Sequence, residues 1–174
     1  RSPGGTYEAQ TTDPMKVVKE LAPVSVTEKT DGRFIVDFGQ NLTGWMRFSV
    51  RGERGQTVRL RYAESLDENG ELFTANLRSA KAEGLYTLRG GERETYEPAF
   101  TYYGFRFVEV SGYPGQCDPS DFTACMVSDD MRTVGSFKTS DELLNRIYRN
   151  AWWGIAGNYK GMPVDCPQRN EKQP

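Results

Sequence analysis

Between Phe34 and Tyr62 apolar side chains recur at every second position. Phe34, Val36 and Phe38 form one set, Met46, Phe48 and Val50 a second, and Val58, Leu60 and Tyr62 a third. A strand points successive side chains to opposite faces, so each set loads one face of one strand. Further runs lie at Leu85 to Leu88, Phe105 to Val110 and Phe122 to Val127. Phe105 to Val110 is apolar on both parities, which predicts a central strand covered on both faces. Turn signals separate the runs at Gly52-Glu53-Arg54-Gly55, Asp67-Glu68-Asn69-Gly70, Gly90-Gly91 and Tyr113-Pro114-Gly115. Gly39-Gln40-Asn41-Leu42-Thr43-Gly44 predicts a tight turn between Phe38 and Trp45. Many short strands with Gly-rich turns and no helical period predict a mostly β chain, an antiparallel β-sandwich of jelly-roll type.

The period changes at Thr139. Thr139 with Glu142 has the form of a capping box at a helix start. Leu143, Leu144, Ile147, Ala151 and Ile155 then recur at three- and four-residue spacing, giving one apolar stripe. The pattern predicts a helix of about four turns, ending near Gly154 or Gly157. Pro163 and Pro167 keep the next stretch extended. A lone helix cannot bury its stripe, so further helices are expected downstream. Residues 1–23 carry Gly, Pro and Thr clusters and read as a linker or the tail of a preceding module. Residues 24–131 read as the sandwich module, and 132–174 as the truncated start of a helical domain. Both ends look cut: the start lacks Met and the end lacks a stop signal.

Composition narrows the chemistry. Of 174 residues, 37% are hydrophobic and 26% charged, as in a folded globular chain. The net charge of -2 offers no basic excess for a nucleic-acid partner. No run approaches the roughly 20 apolar residues of a membrane span, so membrane insertion is not expected. Three cysteines, Cys117, Cys125 and Cys166, indicate neither a disulfide framework nor a zinc site, though Cys117 and Cys125 could pair. With no histidine, a His general base and His metal ligands are excluded within these residues. No cofactor or metal is called for. Hydrolytic chemistry here must rest on carboxylates.

Carboxylates gather at the end of the chain. Gly161-Met-Pro-Val-Asp-Cys-Pro-Gln-Arg-Asn-Glu171 places Asp165, Arg169 and Glu171 on a Pro-stiffened loop. Asp and Arg can grip vicinal sugar hydroxyls while Glu delivers a proton. By spacing alone a solvated charged tail explains the trio better. However, PVDCPQRNE resembles the DCPQR-D/N-E signature of the bacterial α-L-rhamnosidases, glycoside hydrolase family 78. GSFKTSDELLNRIYRNAWWGIAGNYKGMP is similar to the family's first barrel helix and the loop feeding the motif. VDFGQNLTGWMRFSVRGERGQTVRLRYAESLDENGELFTANLRSAKAEGLYTLRGG and YEPAFTYYGFRFVEVSGYPG resemble its sandwich module, in the same order.

The resemblance implies an inverting glycosidase that releases terminal α-L-rhamnose from a glycoside or polysaccharide. It implies Glu171 as general acid, with Asp165 and Arg169 binding rhamnose hydroxyls. The catalytic base would lie downstream, in the rest of an (α/α)6 barrel that would be this chain's partner. The family more often has Asp where Asn170 stands. A periplasmic or secreted location is expected over a cytoplasmic one, any export signal lying upstream of Arg1. The competing reading is a non-catalytic carbohydrate-binding or structural sandwich module.

Other features have plain explanations. Trp45 heads an alternating strand and is expected to pack the sandwich, and at least one of Trp152 and Trp153 should be core or interface. Asn41-Leu42-Thr43 fits a glycosylation acceptor by coincidence. Glu64, Asp67 and Glu68 read as a solvated turn, since no full oxygen-ligand loop surrounds them.

Overall fold

The computed structural model describes residues 4–169. Eight strands form one antiparallel sheet: β1 (Met15–Leu21), β2 (Ser25–Glu28), β3 (Phe34–Val50), β4 (Thr57–Ala63), β5 (Glu83–Thr87), β6 (Glu94–Tyr96), β7 (Tyr103–Ser111) and β8 (Phe122–Asp129). Helix α1 (Glu142–Asn158) and a small hairpin of β9 (Tyr159–Lys160) and β10 (Met162–Pro163) follow. The main path runs β1-β8-β3-β7-β4-β5, with β2 and β6 added to the free edges of β3. Mostly β and antiparallel, with one helix at the end, the fold is the one the residue pattern predicts.

The sheet curls over its own apolar face. Phe48 of β3 meets Tyr86 of β5 edge-on at 6.0 Å, although β7 and β4 lie between them in the sheet. Tyr86 in turn stacks on Tyr96 of β6 at 4.3 Å. The three alternating sets converge inside this curl: Val36, Met46, Phe48, Val50, Val58, Leu60 and Tyr62 are essentially inaccessible. Burying such side chains contributes about 1.5–3 kcal/mol each, which is what holds the curl closed.

β7 is central, between β3 and β4, and buried on both faces. Phe105, Val108 and Val110 enter the main core, while Phe107 joins a second cluster with Ile35, Ala63 and Leu72 on the outer face. Beside that cluster Glu109 is 3% exposed. Arg33 and Arg61 both ion-pair with it, and Arg33 also reaches Glu71 at 2.9 Å. A buried carboxylate needs such partners, because desolvation penalises it otherwise.

Several expectations are corrected. The block from Gly39 to Gly44 is not a hairpin turn but a bulge inside the continuous strand β3. Five steps along β3, from Asp37 to Leu42, face two along β7, from Phe107 to Phe105. Asp37 fixes the bulge: it accepts the Gly39 N–H at 2.6 Å and a two-pronged ion pair from Arg106, both contacts 2.8 Å. Arg106 accordingly holds the Asp37 carboxyl below its usual range. Gly39, at φ +70°, is the residue that lets the chain leave and rejoin the ladder.

Residues 15–21, read from sequence as linker, form β1 and pair with β8. Their two faces are mostly exposed, so no alternation marked them; the ladder alone holds them. Trp45 points outward, its indole N–H donating to Glu97 at 3.1 Å, and Met46 fills the core instead. Cys117 and Cys125 are free thiols, pushed up by burial to about 12 and about 11.

Helix α1 starts two residues later than a Thr139 cap implies. Asp141 is its N-cap, accepting the Leu143 N–H at 2.8 Å, while the Thr139 hydroxyl accepts the Asp141 N–H at 3.1 Å. The predicted stripe faces outward: Leu143, Leu144, Ile147 and Ile155 are exposed. The opposite face meets the sheet through Trp153, Ala156 and Gly157, where a Cβ on Gly157 would lie 3.1 Å from Thr43 Oγ1. No helix among the described residues is long and apolar enough to cross a membrane.

Candidate functional site

The link from α1 to the motif loop is anchored partly to the end of the helix and partly to the sandwich. Lys160 turns back on the end of α1 and donates to the carbonyls of Gly157 (3.0 Å), Tyr159 (3.2 Å) and Ala156 (3.4 Å). A cation at a helix C-terminus meets the negative end of the dipole. Burial nevertheless pushes the Lys160 ammonium down to about 8. Gly161 N–H donates to both carboxylate oxygens of Asp129, at the end of β8, at 2.8 Å. Val164 N–H donates back to Asn158 O at 2.8 Å, closing the hairpin.

The motif loop then docks on β7. A Cβ on Gly104 would fall 2.7 Å from Gln168 N and 3.0 Å from its Cα, so only glycine admits this approach. Val164 and Cys166 are buried against the body, at 7% and 9% exposure. The intervening Asp165 is exposed, as alternation in an extended segment requires. Pro167–Arg169 forms one tight helical turn.

This turn separates two cavities. On one side Asp165 faces a cleft of about 440 Å³, bounded by the β3 bulge (Gln40 to Thr43), Glu64, Gly104 and the α1 residues Asn150, Trp153 and Asn158. On the other side Arg169 borders a cavity of about 300 Å³ with Tyr102 and Tyr103. The Arg169 guanidinium also donates to Asn76 O at 3.4 Å. Asp165 and Arg169 therefore flank one turn without sharing one cavity. Glu171 lies outside the described residues.

The sandwich's part in the cleft escaped sequence reasoning. By sequence Glu64 is only one member of a solvated acidic turn. Its two carboxylate oxygens accept from Asn41 Nδ2 at 2.9 Å and Asn76 Nδ2 at 3.1 Å, tying the bulge to the loop after β4. Asp67, by contrast, accepts the N–H groups of Asn69 and Glu71 within its own turn. Only the bulge block offered a signal for the cleft, and it read as a turn. Trp153 packs on the core cluster with Lys19 Nζ 4.9 Å above its ring, so its indole is interface first.

Comparison with known proteins agrees with this layout. Residues 27–128 match the bacterial alpha-L-rhamnosidase concanavalin-like domain, and residues 132–174 the bacterial alpha-L-rhamnosidase 6 hairpin glycosidase domain. An alpha-L-rhamnosidase of Streptomyces avermitilis is 44% identical over 164 residues, and one of Formosa agariphila 33% identical over 168. The chain spans only 16% and 18% of those two proteins, of which 94% of this chain takes part in each match. The Streptomyces avermitilis enzyme solved with L-rhamnose superposes with a TM-score of 0.90, covering 94% of this chain and 16% of that one. The Dictyoglumus thermophilum alpha-L-rhamnosidase, at 39% identity, superposes with 0.93 over 99% of this chain and 20% of that one. With more than half its residues matched to a rhamnosidase domain and the rest of the match continuing into the glycosidase domain, the chain belongs to the bacterial α-L-rhamnosidase family.

Proposed function

We propose that this chain is the sandwich module and the opening of the helical domain of an inverting α-L-rhamnosidase. In this reading the sandwich takes in β1 and runs to residue 131, the helical domain starts at 132, and its further helices cover the exposed face of α1. Glu171 is the general acid that protonates the departing glycosidic oxygen. Asp165 and Arg169 hold the rhamnose hydroxyls from the two sides of the Pro167–Arg169 turn, in a site that chain outside these residues completes. Inversion needs a second carboxylate roughly 6.5–9.5 Å from the acid, activating water on the opposite face of the ring. That base comes from chain outside these 174 residues.

The observation that supports the reading best is the exposure of Asp165 between two buried neighbours, at the edge of a cleft, on a loop clamped to the sheet. An exposed carboxylate on a rigid backbone is suited to orienting sugar hydroxyls, because little ordering is left to do on binding. A general acid must stay protonated near neutral pH, which needs burial or a nearby carboxylate. Substrates are rhamnose-ended glycosides or polysaccharides, and since polymers do not cross a cell membrane, the site of action is periplasmic or secreted.

The test is expression of the full-length protein with and without Glu171→Gln, assayed on an aryl α-L-rhamnoside. Loss of one general acid should lower kcat by about 10²–10⁴-fold. An unimpaired variant removes the acid assignment, and an inactive full-length wild type leaves a sandwich that works by binding alone. The 174-residue chain by itself should release no rhamnose.

A further inference from the structure

We propose that the cleft between the β3 bulge and α1 is a sugar subsite for the leaving group, built jointly by the sandwich, α1 and the motif loop. The inference rests on the rhamnosidase reading and extends it to the part of the substrate beyond the scissile bond. Rhamnose is held at Asp165 in that reading, and it is the terminal residue. Any further ring along the cleft must therefore lie across the bond that breaks.

The lining identifies the chemistry. From the sandwich come Gln40, Asn41 and Glu64, and from the helix Asn150 and Asn158, with Asp165 between them. Carboxamides and carboxylates offer both donors and acceptors, the complement of a ring of hydroxyls. Among the described residues Glu64 and Asp165 are the only charged side chains on the wall, with no Lys or Arg beside them. An anionic ligand is thereby disfavoured, and a neutral polyhydroxylated ring is selected. The volume, about 440 Å³, falls within the usual range for small-molecule sites and accommodates one sugar ring with its water.

The polar wall is held in place before any ligand arrives. Asp37 and Arg106 pin the bulge, and Glu64 fixes Asn41 by its side chain at 2.9 Å. Asn150 is exposed on the facing helix surface. Such a layout lowers the ordering cost of binding. It also gives the bulge, an irregularity no strand needs for its own stability, a use.

The experiment compares the full-length enzyme with its Asn41→Ala and Asn150→Ala variants on two substrates. One is a rhamnosyl-hexose disaccharide, whose leaving group carries hydroxyls; the other is an aryl α-L-rhamnoside, whose leaving group carries none. Each variant should raise KM for the disaccharide about fivefold, the weight of one lost hydrogen bond. KM for the aryl substrate and kcat for both should stay within about twofold. Asn150→Ala, at an exposed helical position, keeps the test independent of folding. If both substrates respond alike, or neither responds, the subsite is overturned while rhamnosidase activity stands. If the wild type cleaves neither substrate, the rhamnosidase reading fails and the subsite falls with it.

Discussion

Gly104 lies directly beneath Gln168, with no room for a methyl group between β7 and the motif loop. The contact transmits the geometry of the sheet to Asp165, three residues before Gln168. Gly104→Ala should therefore lift the loop. The overpacking should cost about 1–3 kcal/mol in the melting of the 174-residue chain. On the proposed rhamnosidase reading, displacement of the loop by even 1 Å can lower kcat/KM of the full-length protein on an aryl rhamnoside about 10²-fold. A variant with wild-type kinetics would show that the loop is positioned from elsewhere.

Glu94 contributes to the acid sensitivity of the fold. It is 5% exposed on β6, and the Tyr86 hydroxyl (2.5 Å), with the N–H groups of Arg89 and Gly90, holds it at about 2. In the unfolded chain the same group titrates near its ordinary 4.5. Between those values the unfolded state binds more protons, so stability falls as pH drops through the window. The contribution is complete above the unfolded value. Glu94→Gln should lower stability at neutral pH and reduce the further loss between pH 6 and pH 3. Urea midpoints at those two pH values measure it, and an equally steep acid loss in the variant would assign the effect to other carboxylates.

Glu109 gives a second electrostatic test. It is buried on the outer face of β7 and paired with Arg33 and Arg61. Arg33→Ala strips one partner from a desolvated charge and should cost about 3 kcal/mol. Replacing the pair together, as Arg33→Met with Glu109→Leu, removes the charge that needed solvation and should recover most of the loss. Chemical denaturation of the three proteins decides. A double variant no better than the single would mean that the network supplies more than neutralisation.

The legible parts of the sequence were those where burial is one-sided and periodic. Phe34 to Phe38, Met46 to Val50 and Val58 to Tyr62 announced the core because a curled sheet has an inside and an outside. β1 stayed hidden because Lys16, Lys19 and Glu20 alternate with little that is buried; its stability comes from backbone pairing, which leaves no side-chain trace. The bulge misread as a turn shows the same limit, since Gly39 and Asn41 serve either conformation and only the partner strand's register decides. Thr139 and Asp141 are both good caps, and position relative to the first free N–H chose Asp141. Of the proposed site, the motif residues are visible through family likeness. Glu64 and Asn41 are not, because they meet across 23 positions of sequence through a fold that no local pattern encodes.

The outward stripe of α1 separates the behaviour of this chain from that of a longer protein. Leu143, Leu144, Ile147 and Ile155 are 62%, 45%, 55% and 56% exposed, while Trp153, Ala156 and Gly157 hold the helix to the sheet. Polar replacement of exposed apolar residues scarcely changes stability, within about 0.5 kcal/mol. Leu144→Gln with Ile147→Lys should therefore leave the melting of the 174-residue chain unchanged while lowering its binding of a hydrophobic dye. In the full-length protein the same pair should be costly, about 2 kcal/mol or more, because further helices would bury the new amide and ammonium without partners. Equal and negligible effects in both proteins would mean that nothing packs on this face, and the helical domain would have to be built without it.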